Sequence, residues 1–163
     1  MANQETQELI GSRTPPATVV VERGPVSNFA TAVTDENPIY QDPREAEAAG
    51  FGNIPAPPTW GFAMGHWGKF PEVQPEGASD QSPIMHAIGT LMKQGGMVLH
   101  GEQEFVYHRP MEVGDQLTSS GEIKDIYTKE GSSTMTFVVT EEEWRDASNE
   151  LVLTTRMTLL HRA

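Results

Sequence analysis

The spacing of apolar residues in this chain changes near residue 95, from a helical period before it to a period of two after it. Val26, Phe29, Ala30 and Val33 stand at i, i+3, i+4 and i+7, the spacing of one buried helical face. Pro25 suits the first turn of that helix, which the pattern ends at Asp35. Trp60, Ala63, Met64 and Trp67 repeat the spacing behind Pro57-Pro58-Thr59, and a shorter helical turn is expected over residues 43–49. Ile84, Ile88, Leu91 and Met92 mark a third helix, with Ser82 as its expected N-cap and Gly95-Gly96 as its stop. Residues 17–22, with β-branched Thr18, Val19, Val20 and Val21, read as a strand. Four longer strands follow over 98–109, 116–127, 134–144 and 151–161, joined by short polar segments that predict antiparallel hairpins between neighbours.

Helices gathered in the first part of the chain and strands in the second predict an α+β fold whose sheet needs a cover for its apolar face. The Trp60–Trp67 helix carries Gly61, Gly65 and Gly68, each of which costs a helix about 1 kcal/mol. Such a helix makes sense where another backbone packs closely against it. An antiparallel sheet wrapped around one central helix is the hot-dog arrangement. One such domain is expected over residues 17–163, with residues 1–16 as a loose polar arm.

Bulk properties narrow the function. The chain has 163 residues, no cysteine and no apolar run near the roughly 18 residues a membrane span needs. Disulfides, thiolate nucleophiles and Cys-ligated metals are thereby excluded. The polar start lacks the basic and apolar regions of a secretory leader, so a cytoplasmic location is expected. The net charge of −12, from 23 acidic against 11 basic residues, repels nucleic acid and anionic lipid.

Residues 29–59, FATAVTDENPIYQDPREAEAAGFGNIPAPPT, resemble the MaoC-type, R-specific enoyl-CoA hydratase family. Its signature runs Gly-Asp-x-Asn-Pro-x-His-x-Asp, followed by the start of the central helix. Residues 99–117, LHGEQEFVYHRPMEVGDQL, are similar to the N-terminal, FAS1-like dehydratase type of half-domain in that group. This type also forms the non-catalytic subunits of mycobacterial hydroxyacyl-thioester dehydratases and steroid-degrading hydratases. The resemblance implies reversible addition of water to an enoyl thioester of coenzyme A or acyl carrier protein, with no other cofactor. It places Asp35 and Asn37 at catalytic-motif positions and Ala56, Pro58, Thr59, Trp60 and Met64 beside the substrate.

Two departures stand out. Tyr40 occupies the place of the motif's histidine, and a phenol, with an ordinary pKa near 10, exchanges protons poorly at neutral pH. Pro57-Pro58 replaces the His-Gly pair that opens the helix in catalytic members, and Pro58 has no N–H with which to stabilise an oxyanion. The resemblance therefore implies a degenerate half-site paired with a second hot-dog subunit carrying an intact Asp/His pair. A homodimer using Asp35 with an unconventional acid/base is the alternative, and a thioester-binding scaffold without a reaction is another. His66, His86, His100 and His108 are candidate substitutes for the missing base. His100 and His108 share a strand parity but would lie about 26 Å apart, too far for one metal site, and no metal is expected. Met85, Met92, Met97 and Met111 are pliable enough to surround a bulky acyl group, Asp115 is expected as a turn residue, and Glu141-Glu142-Glu143 as a solvated edge.

Overall fold

The computed structural model describes residues 4–78 and 82–163. Six strands form one antiparallel sheet: β1 (Arg13–Thr14), β2 (Thr18–Val20), β3 (Met97–Tyr107), β4 (Gln116–Glu130), β5 (Thr134–Arg145) and β6 (Leu151–Arg162). The order is β1-β4-β5-β6-β3, and β2 also pairs with β4. The β4–β5 and β5–β6 hairpins form as the short separators predict. The hairpin expected between β3 and β4 does not, because β4 has β5 on one side and β1 and β2 on the other. β3 crosses instead to the far side of β6 and becomes the sheet's end strand.

This crossover is clamped by Arg109, whose guanidinium donates to both carboxylate oxygens of Asp115 (2.8 and 3.0 Å) and to Asp146 (3.0 Å). Asp115 also accepts from the Glu112 amide, the turn role expected of it. The bidentate geometry ties the link between β3 and β4 to the β5–β6 turn.

The helices are α1 (Gln4–Gln7), α2 (Arg23–Ala32), α3 (Pro43–Ala48), α4 (Trp60–Ala63) and α5 (Pro83–Met92). Pro43 and Pro83 open their helices from a first-turn position, where a missing N–H costs nothing. Ser82 does not cap α5 with its side chain; its carbonyl merely accepts the His86 amide. The expected loose arm is ordered from residue 4 on: Thr6 is fully buried, Leu9 packs under α5, and Arg13–Thr14 pairs with β4. The cause is the length of β4, fifteen residues, which outruns β2 and leaves an edge for the arm to fill.

The central helix is shorter than its sequence pattern. α4 passes at Met64 into a 3₁₀ turn, Met64–His66. Trp60 and Met64 are fully buried against the inner face of the sheet, in a cluster with Val152 and Leu153. Trp67, expected on the same face, is 52% exposed. A 3₁₀ turn advances about 120° per residue rather than about 100°, so three such steps swing Trp67 roughly 60° off the buried stripe. It still stacks on Trp60 at 5.6 Å and 10°. Two of the three glycines do allow close approach. A Cβ on Gly61 would lie 2.7 Å from Leu153 Cδ2, and one on Gly68 would lie 2.4 Å from the Val20 carbonyl oxygen. Gly65 meets nothing within 4 Å, and the space beside it is a cavity.

Candidate active site

The motif loop leaves α2 through Thr34, which has a left-handed φ of 59°. Asp35 then accepts the Asn37 amide at 3.1 Å, and Asn37 accepts the Ile39 amide at 3.2 Å, capping the 3₁₀ turn Pro38–Tyr40. Both side chains thus fold the loop's own backbone, the usual role of Asp and Asn in turns. Tyr40 ends the turn and is buried, with its carbonyl held by the Ser27 hydroxyl at 2.7 Å. Burial, and then the charge of Asp35, push the Tyr40 phenol above its ordinary value.

At the start of α4 the Trp60 amide donates to the Pro57 carbonyl and the Phe62 amide to Thr59. The Tyr107 hydroxyl donates to the Pro58 carbonyl at 2.7 Å. Burial pushes this phenol up to about 12, and the nearby Gly61 amide opposes the shift. Pro58 has no N–H to offer an oxyanion at the start of this helix.

Tyr40, Ala56 and Pro58 come together with Phe51, Tyr107 and Met111 around a pocket of about 190 Å³. Asp35, Asn37 and Thr59 are not in its lining, and Thr59 is exposed at the helix start. Trp60 and Met64 are core residues outside the lining. Both phenols in the pocket are neutral at pH 7, so neither is a ready base.

The four histidines are engaged elsewhere. His66 lies beside Trp67, His86 is 3.7 Å from Glu5, His100 meets the Phe62 ring edge-on, and His108 bonds the Thr154 hydroxyl at 3.1 Å. A bulge between His100 and Glu102 breaks the parity expected of His100 and His108. Among the described residues no three His, Asp or Glu side chains gather as a metal site requires. The methionines do not gather either: Met111 is buried, whereas Met85, Met92 and Met97 are exposed.

A larger cavity, about 370 Å³, opens between the inner face of the sheet, α4 and the start of α5. Glu142 faces it from β5, which is an inner strand of the sheet and not the expected solvated edge. Burial alone pushes its carboxyl above the ordinary range. Parity could have shown this, because Thr140, Glu142 and Trp144 alternate on one strand and Trp144 is a tryptophan that wants cover.

The six-stranded antiparallel sheet laid against a buried central helix is a hot-dog fold. The chain belongs to the FAS1-like dehydratase family, residues 8–155 matching the model described as the FAS1-like, dehydratase domain region. Among curated proteins it is 31% identical over 157 residues to a UPF0336 protein of Saccharopolyspora erythraea, covering 96% of this chain and 90% of that one. A UPF0336 protein of Streptomyces avermitilis is 34% identical over 159 residues, covering 96% and 95%. Two solved structures from Mycobacterium tuberculosis share the fold. A chain of the ChsH1–ChsH2 complex matches with a TM-score of 0.75 and 24% identity, over 96% of this chain and 86% of that one. A chain of the C-terminally truncated HadBC (3R-hydroxyacyl-ACP dehydratase) complex matches with a TM-score of 0.70 and 20% identity, over 98% and 99%.

Proposed function

We propose that this chain is the non-catalytic, substrate-holding subunit of an enoyl-thioester hydratase or 3-hydroxyacyl-thioester dehydratase. The observation that carries the reading is the state of its own half-site. The histidine position is a buried, neutral Tyr40, and Pro58 brings no N–H to the helix start. Water addition needs a proton-exchanging group and a donor for the thioester oxygen. In this reading both come from a second hot-dog subunit with an intact Asp-x-Asn-Pro-x-His loop. The fold-related chains of the ChsH1–ChsH2 and HadBC complexes, each found with a second subunit, favour such a pairing.

The end strand supports it as well. β3 has no pairing on its outer side among the described residues, so eleven residues offer backbone groups to a partner strand. Met97, Leu99 and Val106 are exposed along it. The substrate is an acyl thioester of coenzyme A or acyl carrier protein, handled in the cytoplasm. No helix among the described residues is long and apolar enough to cross a membrane.

The test is hydration of crotonyl-CoA by the purified chain, alone and after co-expression with a hot-dog subunit carrying the intact motif. Turnover is expected only from the complex, and Asp35→Asn in this chain is expected to leave it intact. Turnover by the chain alone, abolished by Asp35→Asn, would establish a homodimeric hydratase instead. Thioester binding that no partner converts to turnover would establish a scaffold.

A further inference from the structure

The floor of the larger cavity holds a carboxyl group that the half-site chemistry does not use. Glu142 on β5 and Thr155 on β6 are direct cross-strand partners and both line this cavity. Neither side chain makes a hydrogen bond or ion pair among the described residues, although Thr155 is itself largely buried. On the other side Glu142 is paired with Gly121 of β4. A Cβ on Gly121 would come within 2.5 Å of Glu142 Cγ, so the missing side chain is what lets the carboxyl lie across the sheet. Thr14, Gln103 and Trp144 of the same lining each bury a polar atom, Oγ1, Oε1 and Nε1, without a partner. Gln103 is held in this orientation because its Nε2 donates to the Glu104 and Arg156 carbonyls.

The rest of the lining is mixed: Val19, Phe62, Ile84 and Met157 are apolar, and Lys69, Ser82, Ser119 and Thr140 also border the cavity. Unsatisfied polar groups on the floor beside these apolar side chains are complementary to an apolar body that bears a hydrogen-bonding oxygen. The cavity's size, about 370 Å³, falls within the usual range for small-molecule sites.

We propose that this cavity binds the distal part of an acyl group bearing a hydroxyl, with Glu142 accepting from the hydroxyl and Thr155 donating to it. The word acyl rests on the thioester reading above; the hydroxyl preference rests on the cavity alone. A plain alkyl tail would leave the carboxyl and the threonine hydroxyl covered and unpaired, which is the usual basis for rejecting an analogue that lacks an OH. Burial of Glu142 is in keeping with an uncharged guest, since a cationic one would have to be desolvated together with the carboxylate.

Calorimetric titration of the full chain with 10-hydroxydecanoyl-CoA and decanoyl-CoA, and with the two corresponding methyl esters, tests this. The hydroxylated member of each pair is expected to bind about ten-fold more tightly, the value of one charge-assisted hydrogen bond. The ratio should fall to about one in Thr155→Val, which keeps the side-chain shape, and in Glu142→Leu, while Glu142→Gln retains part of it. Circular dichroism melting identifies any variant that fails to fold, and Thr155→Val is the decisive one. Equal binding within both pairs overturns the cavity proposal and leaves the hydratase-subunit reading standing. A preference within the esters with no binding of either thioester supports the hydroxyl site and overturns the thioester reading. Absence of binding in both series overturns both.

Discussion

Tyr40 differs from an ordinary phenol because it is buried beside Asp35, and that placement sets what a single substitution there can do. Tyr40→His supplies an imidazole but no oxyanion donor, since Pro58 still lacks an N–H. Crotonyl-CoA hydration by this single variant alone is expected to stay at background in a spectrophotometric assay. Thr34, at the head of the same loop, sits at a φ of 59° that a β-branched residue tolerates poorly. Thr34→Asn is expected to raise stability by about 0.5–1 kcal/mol in urea unfolding, because Asn visits this region at lower cost. Gly68→Ala forces a Cβ onto the Val20 carbonyl, a backbone atom in the strand that docks there. A loss of at least 1–3 kcal/mol, roughly the cost of overpacking, is expected by the same measurement. At this scale the sequence was legible where a residue departed from its motif, as Tyr40 and Pro58 do. It was silent on Tyr107, because nothing in the string places it across the helix start from residue 58.

Elements were legible as far as periodicity carries. The helices and long strands lie where the apolar spacing puts them, with ends shifted by a few residues. Three features needed contacts remote in sequence. The pattern at residues 60–67 continues through a 3₁₀ turn, so the spacing promised a longer buried face than α4 has. The strand at 97–107 pairs with β6 and not with its neighbour, because β4 has β5 on one edge and segments from the start of the chain on the other. The arm looked loose because its own residues are polar, and it is held by a strand more than a hundred residues away. The start of α4 depends on Tyr107 in the same way. Tyr107→Phe removes the hydroxyl that donates to the Pro58 carbonyl, leaving that carbonyl without it. It is expected to cost about 0.5–1.5 kcal/mol in denaturant unfolding.

Across the molecule, two carboxyls give opposite pH dependences. The Ser148 hydroxyl and Arg109 hold Asp146 down at about 2, against an ordinary 3.8. Its contribution to stability is full above pH 3.8 and is lost as pH falls through about 2. Asp146→Asn should therefore flatten acid unfolding in that window. Glu142 is raised from 4.5 by burial, so its ionisation opposes folding once pH exceeds that value. Glu142→Gln should raise the melting temperature at pH 7 and leave it unchanged at pH 3. The sequence by itself determined the α+β class, the hot-dog family and the loss of two motif groups, because periodicity and motif letters are local properties of the string. Only the tertiary structure decided that the helix ends early, that the Tyr107 hydroxyl holds the Pro58 carbonyl, and that Glu142 lies over a cavity. Each of these is a meeting of residues far apart in the chain, fixed by strand register and close packing, which no local pattern records.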